Sequence, residues 1–308
     1  MKKIVIGICT YNRNELLGKC LSEMNHLNIP NDTFFEVVIV DNSFENIAKD
    51  FVENLRKDII FPIHYFTCFG NGIASVRNEV LKQSLALNPD YIAFIDDDEM
   101  PSNDWLINLY NLLINSDADI VSGPVVSNFV DDNFQNTKVP DFISKNIIFN
   151  LHNKRSTGKI CSTCSTNNVL LNASILKDSG LKFDESFKKM SGEDIGFFGK
   201  LHKLGYRILW CKEGYVIENV LPERSNIKYI CKRNYNNGYL KIFIKKKDNT
   251  FKPKHLISPL LNLGIFFFAL LLSTFWGRKT FVDILGKIVF NCGALVSIFK
   301  ERTFNLYK

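Results

Sequence analysis

Residues 91–99 read Tyr-Ile-Ala-Phe-Ile-Asp-Asp-Asp-Glu, a short apolar run that passes at once into four acidic residues. A run of this length and composition predicts a buried strand. Four consecutive carboxylates at a strand end repel one another, so a cation is expected to compensate them. Carboxylate oxygens suit Mg²⁺ or Mn²⁺, which keep several waters and share coordination with substrate phosphates. The alternative is a solvated acidic turn before a helix N-terminus, where acids are also favoured.

Outward from this stretch, apolar runs typical of buried strands alternate with helical apolar stripes. Further strands are expected at residues 3–9, 36–41 and 119–122, and helices at residues 16–24, 73–85 and 105–113. This alternation predicts an α/β fold with a mainly parallel sheet. In open α/β sheets, ligands bind beyond the carboxyl ends of the strands. Thr10, Asn12, Asp41 and the acidic cluster all fall at such ends.

A second acidic motif, Ser191-Gly-Glu-Asp194, precedes another helical stripe. Acidic residues at a helix start are often there only for their favourable interaction with the helix dipole. A carboxylate in this place can also take the proton of an attacking alcohol. On the functional interpretation, Asp194 is the candidate base and Glu193 is its neighbour.

The composition is that of a folded chain. Of 308 residues, 46% are hydrophobic and 23% are charged, which disfavours disorder and collagen-like structure. A net charge of +6 does not by itself indicate a nucleic-acid partner. The eight cysteines are scattered, and Cys161-Ser-Thr-Cys164 lacks a second ligand pair for zinc. These features predict a reducing, cytoplasmic environment.

The C-terminal part combines a basic segment with apolar ones. Residues 224–254 contain ten Lys or Arg and one acid, and residues 260–276 that follow are uncharged. Residues 281–299 are apolar except for Asp283, Lys287 and Asn291. Three interpretations stay open: a buried helical hairpin, a two-span membrane hairpin, and helices lying in a membrane interface. The flanking cations favour the third, because they suit anionic head groups.

Taken together, several motifs resemble one enzyme family. They are Ile6-Gly-Ile-Cys-Thr-Tyr-Asn-Arg13, Val37-Val-Ile-Val-Asp-Asn42, Gly72-Ile-Ala-Ser-Val-Arg-Asn78, Phe94-Ile-Asp-Asp-Asp-Glu-Met-Pro101, Asn168-Val-Leu-Leu171, Phe183-Asp-Glu185, Gly192-Glu-Asp194 and Glu218-Asn-Val-Leu-Pro-Glu-Arg224. In order and spacing, the chain resembles the bacterial family 2 glycosyltransferases, which are inverting enzymes with the GT-A fold. The resemblance implies a GT-A domain over residues 1–240. For residues 241–308 we expect a basic linker and C-terminal hydrophobic or amphipathic helices that associate with the membrane.

The resemblance also implies roles for individual residues. Thr10, Asn12 and Asp41 would hold the nucleotide base and ribose, with Arg77, Asp96 and Asp97 also in the donor site. Asp98 would ligate Mg²⁺ or Mn²⁺ directly, together with Asp96. Glu218 stands where many relatives have His, and it is the expected third ligand. Asp194, beside Glu193, would deprotonate the acceptor hydroxyl.

The implied activity is transfer of a sugar from a nucleotide-diphosphate sugar, with a UDP-sugar the first expectation. The acceptor would be a saccharide, expected on a lipid carrier, in bacterial surface polysaccharide or lipopolysaccharide synthesis. The place would be the cytoplasmic face of the inner membrane, with no nucleic-acid partner. The alternative is a catalytically inactive, membrane-attached scaffold that binds nucleotide-sugars. A processive polymerase is disfavoured because the chain has no Gln-x-x-Arg-Trp motif.

Overall fold

The structure of the protein is a computed structural model. It describes residues 1–43, 47–70, 72–131, 134–138, 140, 142, 155–187, 191–273 and 277–300. These residues fall into two compact units, one drawn from Met1–Val126 with His152–Glu218 and the other from Ser127–Leu151 with Asn219–Leu306.

The first half of the chain contains the predicted strands and helices in alternation, and also three elements that were not predicted, at residues 47–55, 63–67 and 99–101. The elements are β1 (Lys2–Thr10), α1 (Asn14–Met24), β2 (Thr33–Asp41), α2 (Ile47–Leu55), β3 (Ile63–Thr67), α3 (Ile73–Ala86), β4 (Tyr91–Ile95), β5 (Glu99–Pro101) and α4 (Trp105–Ile114). Those that follow are β6 (Ile120–Ser122), β7 (Val125–Phe129), β8 (Ile160–Cys161), β9 (Asn168–Asn172), α5 (Ala173–Ser179), α6 (Glu193–Lys203), β10 (Ile208–Trp210) and β11 (Val216–Val220). Three long helices complete the described chain, α7 (Ile227–Lys247), α8 (Lys254–Ser273) and α9 (Arg278–Phe299).

An eight-stranded sheet has the order β3-β2-β1-β4-β9-β6-β10-β8. The neighbours β3, β2, β1 and β4 are parallel, as are β6 and β10. This confirms the expected α/β fold with a mainly parallel sheet. The strand β9 lies antiparallel between β4 and β6, a direction that the sequence pattern did not indicate. A smaller sheet has the order β5-β11-β7.

The two faces of the large sheet are both buried, which explains why its strands are continuously apolar. Successive side chains of a strand point to opposite faces. Ile4, Ile6 and Ile8 of β1 therefore pack in one cluster with α1 and α4, while Val5 packs in the other with α3 and α6.

The second unit is built around α7, α8 and α9, with α9 packed against both of the other helices. The domain boundary predicted at residue 240 falls inside α7, which is continuous over its 21 residues. The division into residues 1–240 and 241–308 remains a prediction. Both α8 and α9 are long and apolar enough to cross a membrane, with mean hydropathies of 1.6 and 1.7.

Two glycines allow α7 and α9 to approach closely. A Cβ atom added at Gly238 would lie 1.8 Å from the carbonyl oxygen of Phe290, and one at Gly293 would lie 2.0 Å from that of Tyr235. Because both obstacles are backbone atoms, a side chain at either position would force the helices apart.

We expect Gly238→Ala to lower the free energy of unfolding by about 1–3 kcal/mol, the usual range for overpacking. The matched control is Gly264→Ala in α8, where an added Cβ meets no atom within 4 Å. That control should stabilise the helix by roughly 0.5–1 kcal/mol. Urea unfolding followed by circular dichroism measures both changes, and equal stabilities would contradict the close packing of α7 on α9.

Candidate active site

The carboxyl ends of three neighbouring strands meet at one edge of the large sheet. Thr10 at the end of β1 is paired with Asp41 at the end of β2, which is paired with Thr67 at the end of β3. On the other side of β1, β4 ends at Ile95, directly before the acidic cluster of residues 96–99. The sequence-predicted residues of these strands thus lie along the same edge.

Within the acidic cluster, Asp97 and Asp98 both pair with the guanidinium group of Arg13. The Nη1 atom of Arg13 lies 3.1 Å from Oδ1 of Asp97 and 3.1 Å from Oδ2 of Asp98. The hydroxyl of Thr10 also donates to Asp97, at 2.8 Å. Asp97 is buried, so this internal pairing is what makes its burial tolerable. Thr10 therefore holds the acidic cluster, whatever further contact it makes with a ligand.

Arg13 is the last residue of the motif that begins at Ile6, but sequence reasoning predicted no role for it. Its guanidinium contacts residues 84 and 85 positions further along the chain. The sequence feature that could have indicated this pairing is the position of Arg13, three residues after Thr10 and at the same sheet edge as the four acidic residues 96–99.

A second arginine joins the two acidic motifs. Nη1 of Arg77 donates a hydrogen bond to Oε1 of Glu193, and Nη2 lies 3.7 Å from Oδ1 of Asp96. Arg77 and Glu193 are both buried, and the other carboxylate oxygen of Glu193 has no hydrogen-bond partner among the described residues. The start of α6 is thereby tied to the end of β4, and Asp194 is brought to the same site.

The environment raises the pKa of three carboxyl groups in the cluster, those of Asp96, Asp97 and Glu99. The pKa of Asp96 rises to about 7, mainly through desolvation although 40% of its side chain is exposed. Arg77 opposes this shift, while the charges of Asp98, Asp97 and Asp194 add to it. The pKa of Asp97 rises to about 6, again mainly through desolvation, with Arg13 opposing. A bound divalent cation would reverse both effects, because it favours the ionised forms.

These shifts predict the pH dependence of stability without metal. A carboxyl group with a raised folded-state pKa keeps its proton longer in the folded than in the unfolded protein. Its contribution to the free energy of unfolding is therefore full below the ordinary value of 3.8 and is lost as pH rises through about 7.

We expect the stability of the metal-free protein to fall over this range, and Asp96→Asn to flatten the fall. Urea unfolding in a chelating buffer at several pH values measures the free energy of unfolding of both proteins. The exposed Asp178→Asn is the control, and an unchanged slope in Asp96→Asn would contradict the assignment.

Asp41 is fully buried and accepts hydrogen bonds from its own chain. Its donors are the amide and hydroxyl of Ser43, both at 2.8 Å, the hydroxyl of Tyr65 at 2.7 Å and the amide of Ala48 at 3.4 Å. The carboxylate thus orders the loop after β2. Asn12, in contrast, is exposed and has a φ of 53°, a conformation that Asn adopts more readily than most residues. Nucleotide contacts of Asp41 and Asn12 remain predictions.

Glu218 lies beside the acidic cluster. It is paired in register with Glu99 across β11 and β5. Desolvation and the charges of Asp96, Asp98 and Glu218 together hold the pKa of Glu99 well above its usual value. Asp98 and Glu218 are thus both within electrostatic reach of Glu99.

The donor set suits a hard cation. Among the described residues, no three His, Cys, Asp or Glu side chains form a ready-made metal cage. Mg²⁺ and Mn²⁺ do not need one, since they bind through one or two carboxylates plus waters and substrate phosphates. Asp96 and Asp98 offer such carboxylates.

Asp194 is the second residue of α6 and is partly exposed, with one carboxylate oxygen 2.7 Å from the amide of Ile195. This location is compatible with contact to a ligand. Glu193, directly before it, points into the protein towards Arg77.

One structural residue was recognised only as part of a motif. Asn168 is fully buried; its side chain accepts from Nε1 of Trp105 and donates to the carbonyls of Pro124 and Gly214. Asn168 therefore joins β9 to the loops beside β6 and β11. Its role in the motif is to hold the fold together and not to take part in the reaction.

Sequence comparison identifies relatives. The family described as "Glycosyl transferase family 2" matches residues 5–180 of this chain. The succinoglycan biosynthesis protein ExoM of Rhizobium meliloti is 33% identical over 235 residues, which are 76% of this chain and 72% of that protein. A poly(ribitol-phosphate) beta-glucosyltransferase of Bacillus spizizenii is 26% identical over 123 residues, 39% of this chain and 19% of that protein.

Solved structures share the fold. The mannosyltransferase PcManGT of Pyrobaculum calidifontis, in complex with GDP-Man and Mn²⁺, superposes with a TM-score of 0.63 at 15% identity, over 96% of this chain and 87% of that one. Residues 1–349 of S. aureus TarS in complex with UDP give a TM-score of 0.52 at 17% identity, over 96% and 91%. With more than half of its length matched by the family description, the chain belongs to glycosyltransferase family 2 and has the GT-A fold.

Proposed function

We propose that the protein transfers one sugar from a nucleotide-diphosphate sugar to a saccharide acceptor, with inversion at the anomeric carbon. The observation that carries this proposal is the convergence of the acidic cluster, Arg77 and the first residues of α6 at one sheet edge. This arrangement offers a carboxylate site for a cation beside a candidate base. Such a pair is what phosphate departure and hydroxyl attack require.

The donor class is inferred from the chemistry of the fold neighbours. TarS has been solved in complex with UDP and with UDP-GlcNAc, and PcManGT in complex with GDP-Man and Mn²⁺. A UDP-sugar is our first choice. The similarity to ExoM supports a role in polysaccharide biosynthesis. The acceptor that we propose is a lipid-linked saccharide in capsule, exopolysaccharide or lipopolysaccharide assembly.

A divalent cation, Mg²⁺ or Mn²⁺, would be held by Asp98 and Asp96, with Glu218 as the candidate third ligand. Once bound, it would supply the positive charge that stabilises the departing nucleoside diphosphate. Arg13 contacts Asp98, so its guanidinium would have to share or release that carboxylate. Thr10, Asn12 and Asp41 are proposed to hold the base and ribose.

In the proposed reaction, Asp194 accepts the proton of the acceptor hydroxyl as its oxygen attacks the anomeric carbon. The bond from that carbon to the donor phosphate breaks, and its electron pair leaves with the nucleoside diphosphate. Attack opposite the leaving group inverts the configuration. Arg77 positions both Glu193 and Asp96, and so sets the geometry between base and cation site.

We further propose that the protein works at the cytoplasmic face of the inner membrane. The apolar α8 and α9 and the basic segment before them support this location.

The test is the binding of UDP, TDP and GDP to the purified protein, with and without Mn²⁺, read as a shift in melting temperature. A ligand that binds only the folded state stabilises it by mass action, by about 2.7 kcal/mol at 100 times its Kd. We expect one nucleotide to stabilise the wild type in the presence of Mn²⁺, and Asp98→Ala to lose the metal-dependent part. Absence of any shift in folded protein would contradict the proposal. Nucleotide binding without turnover would favour the inactive scaffold.

A further inference from the structure

One side of α8 presents large apolar side chains to solvent. Six of them define the apolar face of α8: Ile257, Leu260, Leu261, Ile265, Phe268 and Leu271. Their exposed fractions run from 52% to 73%. Only 6% of the apolar stretch of this helix is buried, against 44% for α9. Contiguous apolar surface of this kind marks an interaction site on a soluble unit.

The spacing places these side chains on a single stripe. Ile257, Leu261, Ile265, Phe268 and Leu271 follow one another at intervals of three or four residues, which keep side chains on the same side of a helix. Leu260 comes three residues after Ile257 and borders the same stripe. The other side of α8 faces α9. There the side-chain amide of Asn262 lies 3.3 Å from that of Asn291, and Lys287 lies over the ring of Phe266. The side of α8 that carries Asn262 and Phe266 therefore contacts α9, and the apolar face of α8 is largely exposed.

Positive charge lies at both ends of the apolar face. The pKa of His255, in the first turn of α8, is lowered by partial desolvation and then by the charges of Lys245, Lys254, Lys241 and Lys252. These four lysines are thus grouped near one end. Beyond the other end come Arg278 and Lys279, both exposed. Residues 249–282 contain no acidic residue at all. A partner for this surface must accept apolar side chains in its middle and supply anions at its margins.

The packing of α9 argues against insertion of the helix pair across a bilayer. Close contact at Gly238 and Gly293 fixes α9 to α7. The ammonium group of Lys246 also lies 3.2 Å from the carbonyl oxygen of Ser297. Carrying α9 through hydrocarbon would take the lysines of α7 with it, at a high cost for each charge. If α8 instead lies parallel to the membrane surface, its apolar face can be buried while the cationic side chains at its two ends stay at the level of the lipid head groups.

We propose that α8 lies in the plane of an anionic lipid surface, with the apolar face of α8 in the acyl boundary and the flanking lysines and arginine at the phosphates. This deepens the proposed membrane location of the transferase and rests on it: it names the docking element, its orientation and the lipid charge. Two cooperating contributions are expected, one from apolar burial and one from electrostatic attraction to anionic lipids.

The experiment is sedimentation of the full chain with vesicles of phosphatidylcholine alone, and of phosphatidylcholine mixed with phosphatidylglycerol. We expect binding to the mixed vesicles. The double variant Ile265→Asp/Phe268→Asp should lower the affinity at least about ten-fold for each side chain removed from the bilayer. Both positions are exposed in solution, so the fold should be retained. The control is Ile60→Asp, an 80% exposed apolar residue outside this unit, which should bind as the wild type does.

The electrostatic part is tested by Lys252→Gln/Lys254→Gln. Affinity for the mixed vesicles should fall about five-fold for each lysine, with no change on neutral vesicles. High salt should reproduce this loss.

Three results would overturn the proposal. They are no vesicle binding by the wild type, undiminished binding by Ile265→Asp/Phe268→Asp, and a wild-type dimer in size-exclusion chromatography that this variant converts to a monomer. In the last case a second copy of the chain covers the face. The nucleotide-dependent melting shift, measured on the same samples, reports on the proposed glycosyl transfer separately, because it does not require lipid.

Discussion

Asp194→Asn is expected to lower the kcat of sugar transfer by about 100-fold to 10,000-fold, the range for loss of a general base. An asparagine keeps the size of the side chain and an oxygen that can still accept from the amide of Ile195. It cannot take a proton from the acceptor hydroxyl. The start of α6 should therefore remain intact while the chemical step is lost.

The experiment measures turnover and nucleotide-dependent stabilisation on the same variant. Donor binding should stay close to that of the wild type, because the change is confined to the base. Asp178→Asn, an exposed acid in a helix of the same unit, is the matched control and should retain full activity. Near-normal turnover in Asp194→Asn would remove the base assignment.

Breaking the buried pair of Arg77 and Glu193 is expected to have the largest effect on stability. Arg77→Met made alone leaves the buried carboxylate of Glu193 without its arginine, a change that costs about 3–5 kcal/mol. Glu193→Leu made alone should cost less, because the guanidinium of Arg77 keeps Asp96 at 3.7 Å. The double variant Arg77→Met/Glu193→Leu removes both charges and replaces them with apolar groups of similar volume. Its stability should lie much closer to the wild type, because a buried ion pair adds little net stability over an apolar pair.

Among these variants of Arg77 and Glu193, the recovery of stability in the double variant should not restore activity. The double variant still lacks the guanidinium that lies 3.7 Å from Asp96, so the geometry between the acidic cluster and α6 is lost. We expect it to be folded and inactive, as judged by urea unfolding and turnover. The exposed pair of Arg207 and Asp117 serves as the control, since breaking a surface pair costs at most about 1 kcal/mol. A folded double variant with full activity would contradict the positioning role of Arg77.

Much of the fold was predictable because its signals are local. The strand at residues 91–95 and its acidic end, the alternation with helices and the location of Thr10 and Asp41 at strand ends all follow from runs of a few residues. Parallel connectivity then places those ends on one edge without further information. The antiparallel direction of β9 was not predictable, because its short apolar run is equally compatible with either direction.

The amino-acid sequence by itself determined the alternation of strands with helices, the family, and most of the residues gathered at the sheet edge. Only the tertiary structure decided how these residues are paired. Arg77 meets Glu193 across 116 positions of sequence, and Arg13 meets Asp97 across 84. It also decided that α9 is covered while the apolar face of α8 is exposed, although the two helices have similar hydropathy. The physical reason is the same in each case: burial and charge pairing depend on which distant segments the packed chain brings together, and local composition carries no record of that.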